Sequence, residues 1–168
     1  MMSTSDITKT KVVGKEVSEF ESSYLNKVSP FFKDIFNGCI KKIFIETHEN
    51  MPTSGKITYY VELNTKSANI IGIAHGGAVA TLMENLGNAS LFYFTNSQSC
   101  YKTIDANINY KSPVPLEKEL RIEIICDKIN FNTSFLEMKI CNRMETLTQA
   151  SFIKMKLRGV NTVFNPKF

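Results

Sequence analysis

Residues 69–94 read NIIGIAHGGAVATLMENLGNASLFYF, and the fold turns on how this stretch is read. From Gly76 to Phe94 it is small and apolar on nearly every side: Gly76, Gly77, Ala78, Ala80, Gly87, Ala89 and Ser90 leave room for close neighbours. A helix that is apolar all round is a buried one. The stretch therefore predicts a central helix from about Gly76 to Phe94, with the rest of the chain wrapped around it. One residue resists this description. Glu84 puts a carboxylate in the middle of the buried helix, where an unpaired charge is costly, and the helix itself brings no lysine or arginine to meet it.

Strand-like runs flank the helix. Cys39–Glu46 and Lys56–Leu63 precede it, the second after a turn-like Pro52-Thr53-Ser54-Gly55. Four follow it. Tyr101–Tyr110 comes first. In Leu120–Cys126, Leu120, Ile122 and Ile124 alternate with Arg121 and Glu123. In Phe135–Cys141, Leu136, Met138 and Ile140 alternate with Glu137 and Lys139. In Thr148–Leu157, Ile153, Met155 and Leu157 alternate with Lys154 and Lys156, so these lysines are expected on a solvated face. A period of two with one polar face is the pattern of an antiparallel sheet. Ser112–Pro115 and Lys128–Asn132 read as connectors. Upstream, residues 1–16 read as a mobile tail. Val17, Phe20, Tyr24, Val28, Phe31 and Ile35 then fall at helical steps of three and four. Ser29-Pro30 marks a restart, so two helical pieces are expected, ending near Gly38.

Composition narrows the function classes. A chain of 168 residues, 43% hydrophobic and 21% charged, is long enough for one domain with a real core. Its net charge of +4 is too weak and too spread to argue for nucleic acid. Four cysteines at 39, 100, 126 and 141 form no CxxC pair, and two distant histidines form no HExxH motif, so no metal is expected. No apolar run reaches membrane-spanning length, so no membrane insertion is expected. The N-terminus has no signal-like h-region, which makes the cytoplasm the default and a mitochondrial presequence the alternative.

The chemistry gathers at His75-Gly76-Gly77 and Glu84. A loop-to-helix junction presents free backbone N–H groups at the positive end of the helix dipole, a place to polarise a carbonyl and hold an oxyanion. Gly76 offers its N–H with no side chain in the way. Glu84 supplies a nucleophile or a general base, and Asn88, one turn on, is placed to hydrogen-bond it. Eight helical residues separate Gly76 from Glu84, about 12 Å of rise. A single carbonyl cannot reach both within one chain. Two such helices lying antiparallel across a twofold axis remove the difficulty, because Glu84 of one subunit then meets Gly76 of the other.

Asn69, then His75-Gly76-Gly77, then Glu84, followed by the run Thr103–Pro113 (TIDANINYKSP), resemble the hotdog-fold acyl-CoA thioesterases, and more narrowly their PaaI-type and acyl-CoA thioesterase 13-like branch. The resemblance covers roughly residues 39–158. It implies an α+β hotdog fold, a curved antiparallel β-sheet wrapped around a long central helix, here with an N-terminal helical extension at 1–38 and a tail at 159–168. It implies hydrolysis of acyl-CoA to free acid and coenzyme A, fatty acyl chains of medium to long length first, with no cofactor beyond the coenzyme A of the substrate. It implies an obligate homodimer that pairs into a dimer of dimers. The catalytic set it carries over is Glu84, Gly76, Asn69, His75 and Thr103. In that set Asn69 contacts the thioester, His75 positions, and Thr103 stands where the branch has a serine that orients water. The branch usually has aspartate where this chain has Glu84, while hotdog thioesterases for aromatic acyl-CoA use glutamate, so the acyl class stays open between the two. A non-catalytic acyl-CoA or lipid-binding hotdog protein is the alternative from another class. For the coenzyme A phosphates, Lys111, Arg121, Lys128, Arg143, Lys154 and Arg158 are candidates by charge alone.

Overall fold

A computed structural model describes residues 10–26, 32–48, 51–95, 100–129 and 132–157. Seven strands form one antiparallel sheet in the order β1-β2-β3-β5-β6-β7-β4: β1 Thr10–Lys15, β2 Ile40–His48, β3 Met51–Glu62, β4 Tyr101–Tyr110, β5 Glu119–Ile129, β6 Thr133–Cys141 and β7 Thr146–Lys156. Helix α1, Val17–Phe20, runs directly into a π-helical turn, Glu21–Leu25, and α2 spans Phe32–Phe36. The long helix α3 is Gly76–Phe94, as its composition predicts. Val79, Leu82, Met83, Leu86, Ala89, Leu91 and Phe94 of α3 are buried, and the inward residues Ile57, Tyr59, Ile122, Ile124, Leu136 and Met138 of the sheet complete the core. At Gly87 α3 approaches the sheet so closely that a Cβ there would overlap Met138 of β6. Tyr59 and Ser90 share a buried hydrogen bond of 2.9 Å between strand and helix. Among the described residues, no helix is long and apolar enough to cross a membrane.

Several expectations are corrected. Residues 10–15 are not tail but strand β1, paired along β2 from Thr10↔His48 to Lys15↔Ile43; residues 1–9 lie outside the described set. The helical stripe also shifts. The π turn inserts an extra residue per turn, which brings Leu25 into the core. On the separate helix α2, Phe32 and Phe36 are buried and Ile35 is 39% exposed. Val28, Ser29, Pro30 and Phe31 lie outside the described residues. Pro52–Gly55 is part of β3 rather than a turn, because the hairpin already pairs His48 with Met51. Gly55 is needed there for close approach, as a side chain would strike the Glu46 carbonyl across the strand pair. Lys128 and Ile129 extend β5, pairing with Phe135 and Ser134, and are not connector.

The largest correction concerns β7. Its inward face is Thr148, Ala150, Phe152 and Lys154, the opposite parity to Ile153, Met155 and Leu157. The strand carries apolar residues on both parities, so alternation alone could not choose between them, and the register with β6 and β4 decides. Lys154 is thus a core residue, with no solvent exposure at all.

Phe20 ties the N-terminal helix to this core, with its ring centroid 5.0 Å from Tyr24, 5.7 Å from Tyr59 and 6.1 Å from Tyr93. Phe20→Ala is expected to destabilise the protein by about 3–5 kcal/mol in urea unfolding, the cost of truncating a buried phenylalanine. A loss below about 1 kcal/mol, within the range of surface substitutions, would show that α1 is a detachable arm.

Candidate active site

Glu84 lies midway along α3 with a third of its side chain open to solvent. Three side chains from three elements close around it. Thr103 of β4 donates its single O–H across both carboxylate oxygens, at 2.8 Å from Oε1 and 2.7 Å from Oε2. Asn88 Nδ2, one helical turn on, donates to Oε1 at 3.1 Å, as the four-residue spacing predicts. Lys154 of β7 places Nζ 2.7 Å from Oε2. The partner that the helix could not supply for Glu84 therefore comes from the sheet. Desolvation pushes the Glu84 carboxyl up, but the charge of Lys154 and the hydrogen bonds from Lys154, Thr103 and Asn88 outweigh it and hold the group below its ordinary value. Burial pushes Lys154 down, and Glu84 only partly restores it. Each group thus favours the charged form of the other across the 2.7 Å contact.

The other predicted residues gather at the start of the same helix. His75 is the N-cap of α3, and its Nδ1 accepts from Gly77 N–H at 2.9 Å. Its own N–H donates to Ser67 O at 2.7 Å, and the Val79 N–H returns to its carbonyl at 3.0 Å. His75 thus fixes the direction in which the helix begins. Asn69 Oδ1 accepts from Ile71 N–H at 3.0 Å and Ile73 N–H at 3.3 Å, closing a tight loop around Gly72, which has a left-handed φ of 81°. Both bonds use the oxygen, so the loop does not consume the donor end of the amide. Asn69, Gly76 and Val79 line a cleft of about 340 Å³ with Ile73, Tyr110 and Val114. Tyr110 O–H donates to the Gly76 carbonyl at 2.9 Å, a contact that sequence reasoning missed although Tyr110 stands inside the TIDANINYKSP run.

The structure brings Glu84 and Thr103 together, with Asn88, and brings Asn69, His75 and Gly76 together. It does not bring the two sets together: the cleft at Gly76 is not lined by Glu84 or Thr103, and unbroken helix separates them. Of the cations considered for phosphate, Lys111 borders the cleft and hydrogen-bonds Gln149 at 2.9 Å, and Arg121 sits 3.5 Å from Glu123. Arg143 is exposed, Arg158 lies outside the described residues, and Lys154 is withdrawn as a phosphate ligand by its burial. No disulfide joins the four cysteines, and burial pushes Cys39 up to about 12, which makes it unreactive.

The Thioesterase superfamily model matches residues 71–148, a span that holds His75, Gly76, Glu84 and Thr103. The matched span, just under half of the chain, is similar to that superfamily. Acyl-coenzyme A thioesterase 13 of Homo sapiens is 28% identical over 89 residues, 53% of this chain, and the chain spans 63% of the length of that relative. The same protein from Pongo abelii matches equally. Among solved structures, zebrafish thioesterase superfamily member 2 superposes with a TM-score of 0.63 at 18% identity, over 82% of this chain and 93% of that one. A Streptococcus mutans protein with acetyl CoA bound gives 0.55 at 22% identity, over 61% and 81%. The structural likenesses establish the hotdog fold. Asn69 and Lys154 both fall outside the span that the family model covers.

The Glu84 pair has a definite pH signature. Its folded pKa is depressed, so its stabilisation is present above the unfolded value of about 4.3 and is lost as pH falls through the folded pKa. Glu84→Gln should cost up to about 3 kcal/mol at pH 7, the bottom of the range for breaking a buried pair because the carboxyl is partly solvated. The difference from wild type should shrink steadily as unfolding is repeated towards pH 3. A pH-independent difference would contradict an ionised pair.

Proposed function

We propose that this protein hydrolyses acyl-CoA thioesters to a carboxylic acid and coenzyme A, at sites each completed by a second copy of the chain. The observation that carries the reading is the partly open, ionised Glu84, held by Thr103, Asn88 and Lys154 on the helix that begins at His75-Gly76-Gly77. The names and bound ligand of the superfamily members support the same substrate class.

In this mechanism the thioester carbonyl sits at the start of α3 in one subunit. Gly76 N–H and the donor end of Asn69 take the charge that develops on its oxygen. Glu84 of the other subunit accepts a proton from water as the water oxygen bonds to the carbonyl carbon. The tetrahedral intermediate then collapses, the C–S bond breaks, and the coenzyme A thiolate leaves to be protonated. Both carboxylate oxygens are already held, Oε1 by Asn88 and Thr103 and Oε2 by Thr103 and Lys154, which favours a fixed general base over direct attack by Glu84. His75 acts by fixing the helix start, and Thr103 by fixing the carboxylate plane.

The second copy is argued from reach and from the surface. About 12 Å of helix separates Gly76 from Glu84. Strand β4 is an outer strand, with Ile104 51% and Tyr110 49% exposed, and Ile70 and Ile71 stand out beside the cleft. A dimer buries such a face, and pairs of dimers extend it to a tetramer. Fatty acyl chains of medium to long length are the first substrate class. Glu84, in place of the aspartate usual in the branch, favours aromatic acyl-CoA as the second.

Free-thiol release over a panel from acetyl- to palmitoyl-CoA, with phenylacetyl- and benzoyl-CoA, tests the activity. Glu84→Ala should lower kcat/KM by at least about a hundredfold, the scale of losing a general base. Equal, negligible turnover of wild type and variant with acyl-CoA still bound would leave a binding protein instead. Sharing of sites has its own test. Asn69→Ala and Glu84→Ala, each weak alone, should recover about a quarter of wild-type activity when co-refolded, because half the dimers are mixed and each has one intact site of two. Activity no higher than the mean of the parents would place the whole site in one chain.

A further inference from the structure

We infer that Lys154 is a positioning residue for the hydrolytic carboxylate, an inference that rests on the function proposed above. A lysine ammonium has three donors and no acceptor. Here all three are used within the site: on Glu84 Oε2 at 2.7 Å, on Thr103 Oγ1 at 2.7 Å and on Asn88 Oδ1 at 3.0 Å. The side chain is wholly buried, which lysine almost never tolerates without a partner. The Phe152 ring, 5.1 Å from Nζ, adds a face that favours the charge.

The tripod does more than neutralise. Because Thr103 Oγ1 accepts from Lys154, its one proton goes to Glu84. Because Asn88 Oδ1 accepts from Lys154, its NH₂ end turns to Glu84. A single cation thus sets the orientation of both groups that bond the carboxylate, and it bonds the carboxylate itself.

The sheet is built to bring these groups together. Along β4 and β7 the register runs Asp105↔Ile153 and Ala106↔Phe152, then shifts by one so that Thr103 pairs with Lys154. Ile104 is the extra residue. Without that bulge Ile104, not Thr103, would face Lys154. Bulges that re-aim a side chain are common beside active sites. Among the described residues, Lys154 is the charged group that meets Glu84 from the sheet. The other contacts, Thr103 from β4 and Asn88 from α3, do not titrate.

Lys154→Met tests this on the full-length protein. The expected result is a fall in kcat of about a hundredfold, the scale of a misplaced catalytic group, with KM changed less than about twofold because Lys154 does not reach substrate. The acid limb of the pH–rate profile should move to higher pH, since Glu84 loses its cation. A role confined to stability would lower the active fraction and leave the limb in place. Glu84 is followed directly by 13C NMR of glutamate-labelled protein, its resonance assigned by Glu84→Gln. Its midpoint should lie below about 4.3 in wild type and above that in Lys154→Met. An unmoved midpoint and an unmoved acid limb in the folded variant would overturn the inference. If the variant does not fold, a wild-type midpoint at or above about 4.3 overturns it equally. Absence of thioesterase activity in wild type would instead remove the proposed function, and the NMR titration would still report whether Lys154 controls Glu84.

Discussion

One cation, sealed from water, fixes the helix to the sheet where the chemistry is proposed to occur. Lys154 reaches from β7 to Glu84 and Asn88 on α3 and to Thr103 on β4. The remaining contacts between α3 and the sheet are apolar, or are single hydrogen bonds such as Tyr59 to Ser90. Apolar packing holds the helix down and selects its face, since only a residue without a Cβ fits against Met138 at Gly87. The three-way charged contact adds a directional constraint at Glu84, because each bond has a short range and a narrow angle. A hydrophobic substitute for the whole network would not necessarily be less stable. What it would lose is an ionised carboxylate facing a solvent-accessible surface in one orientation.

The second constraint is length. The helix start carries the proposed oxyanion donors and its middle carries the carboxylate, on one rigid rod. Each end is well built for its part: His75 caps the first turn and Asn69 closes the loop before it, while Lys154 and its partners hold Glu84. Neither half is adjustable enough to reach the other. A twofold axis is the least costly way to unite them, since it uses the same two half-sites twice.

Much of this was legible in the sequence. The extent of α3 follows from its small residues, the pairing of Asn88 with Glu84 from helical spacing, and the inward faces of β5 and β6 from strict alternation. What was hidden has physical causes. Lysine in a strand reads as solvated, since it is buried only when paired, and its partners are 51 to 70 residues away in the chain. The one-residue bulge at Ile104 carries no glycine or proline to announce it. The π turn at Glu21–Leu25 shifts a helical stripe by one position without changing its composition. Pro52-Thr53-Ser54-Gly55 has the residues of a turn, yet the pairing of Gly55 against Thr47 and Cys126 keeps it in the sheet. In each case long-range pairing overrode a local signal.

The central claim is that Gly76 of one subunit and Glu84 of another face the same thioester. The most direct measurement is a crystal structure with a thioether analogue of acyl-CoA, which cannot be hydrolysed. The account predicts the atoms replacing the thioester between the α3 N-terminus of one protomer and the Glu84 carboxylate of its partner, with a water on that carboxylate. An analogue seated at Gly76 with no Glu84 from either protomer within reach of a bridging water would contradict it.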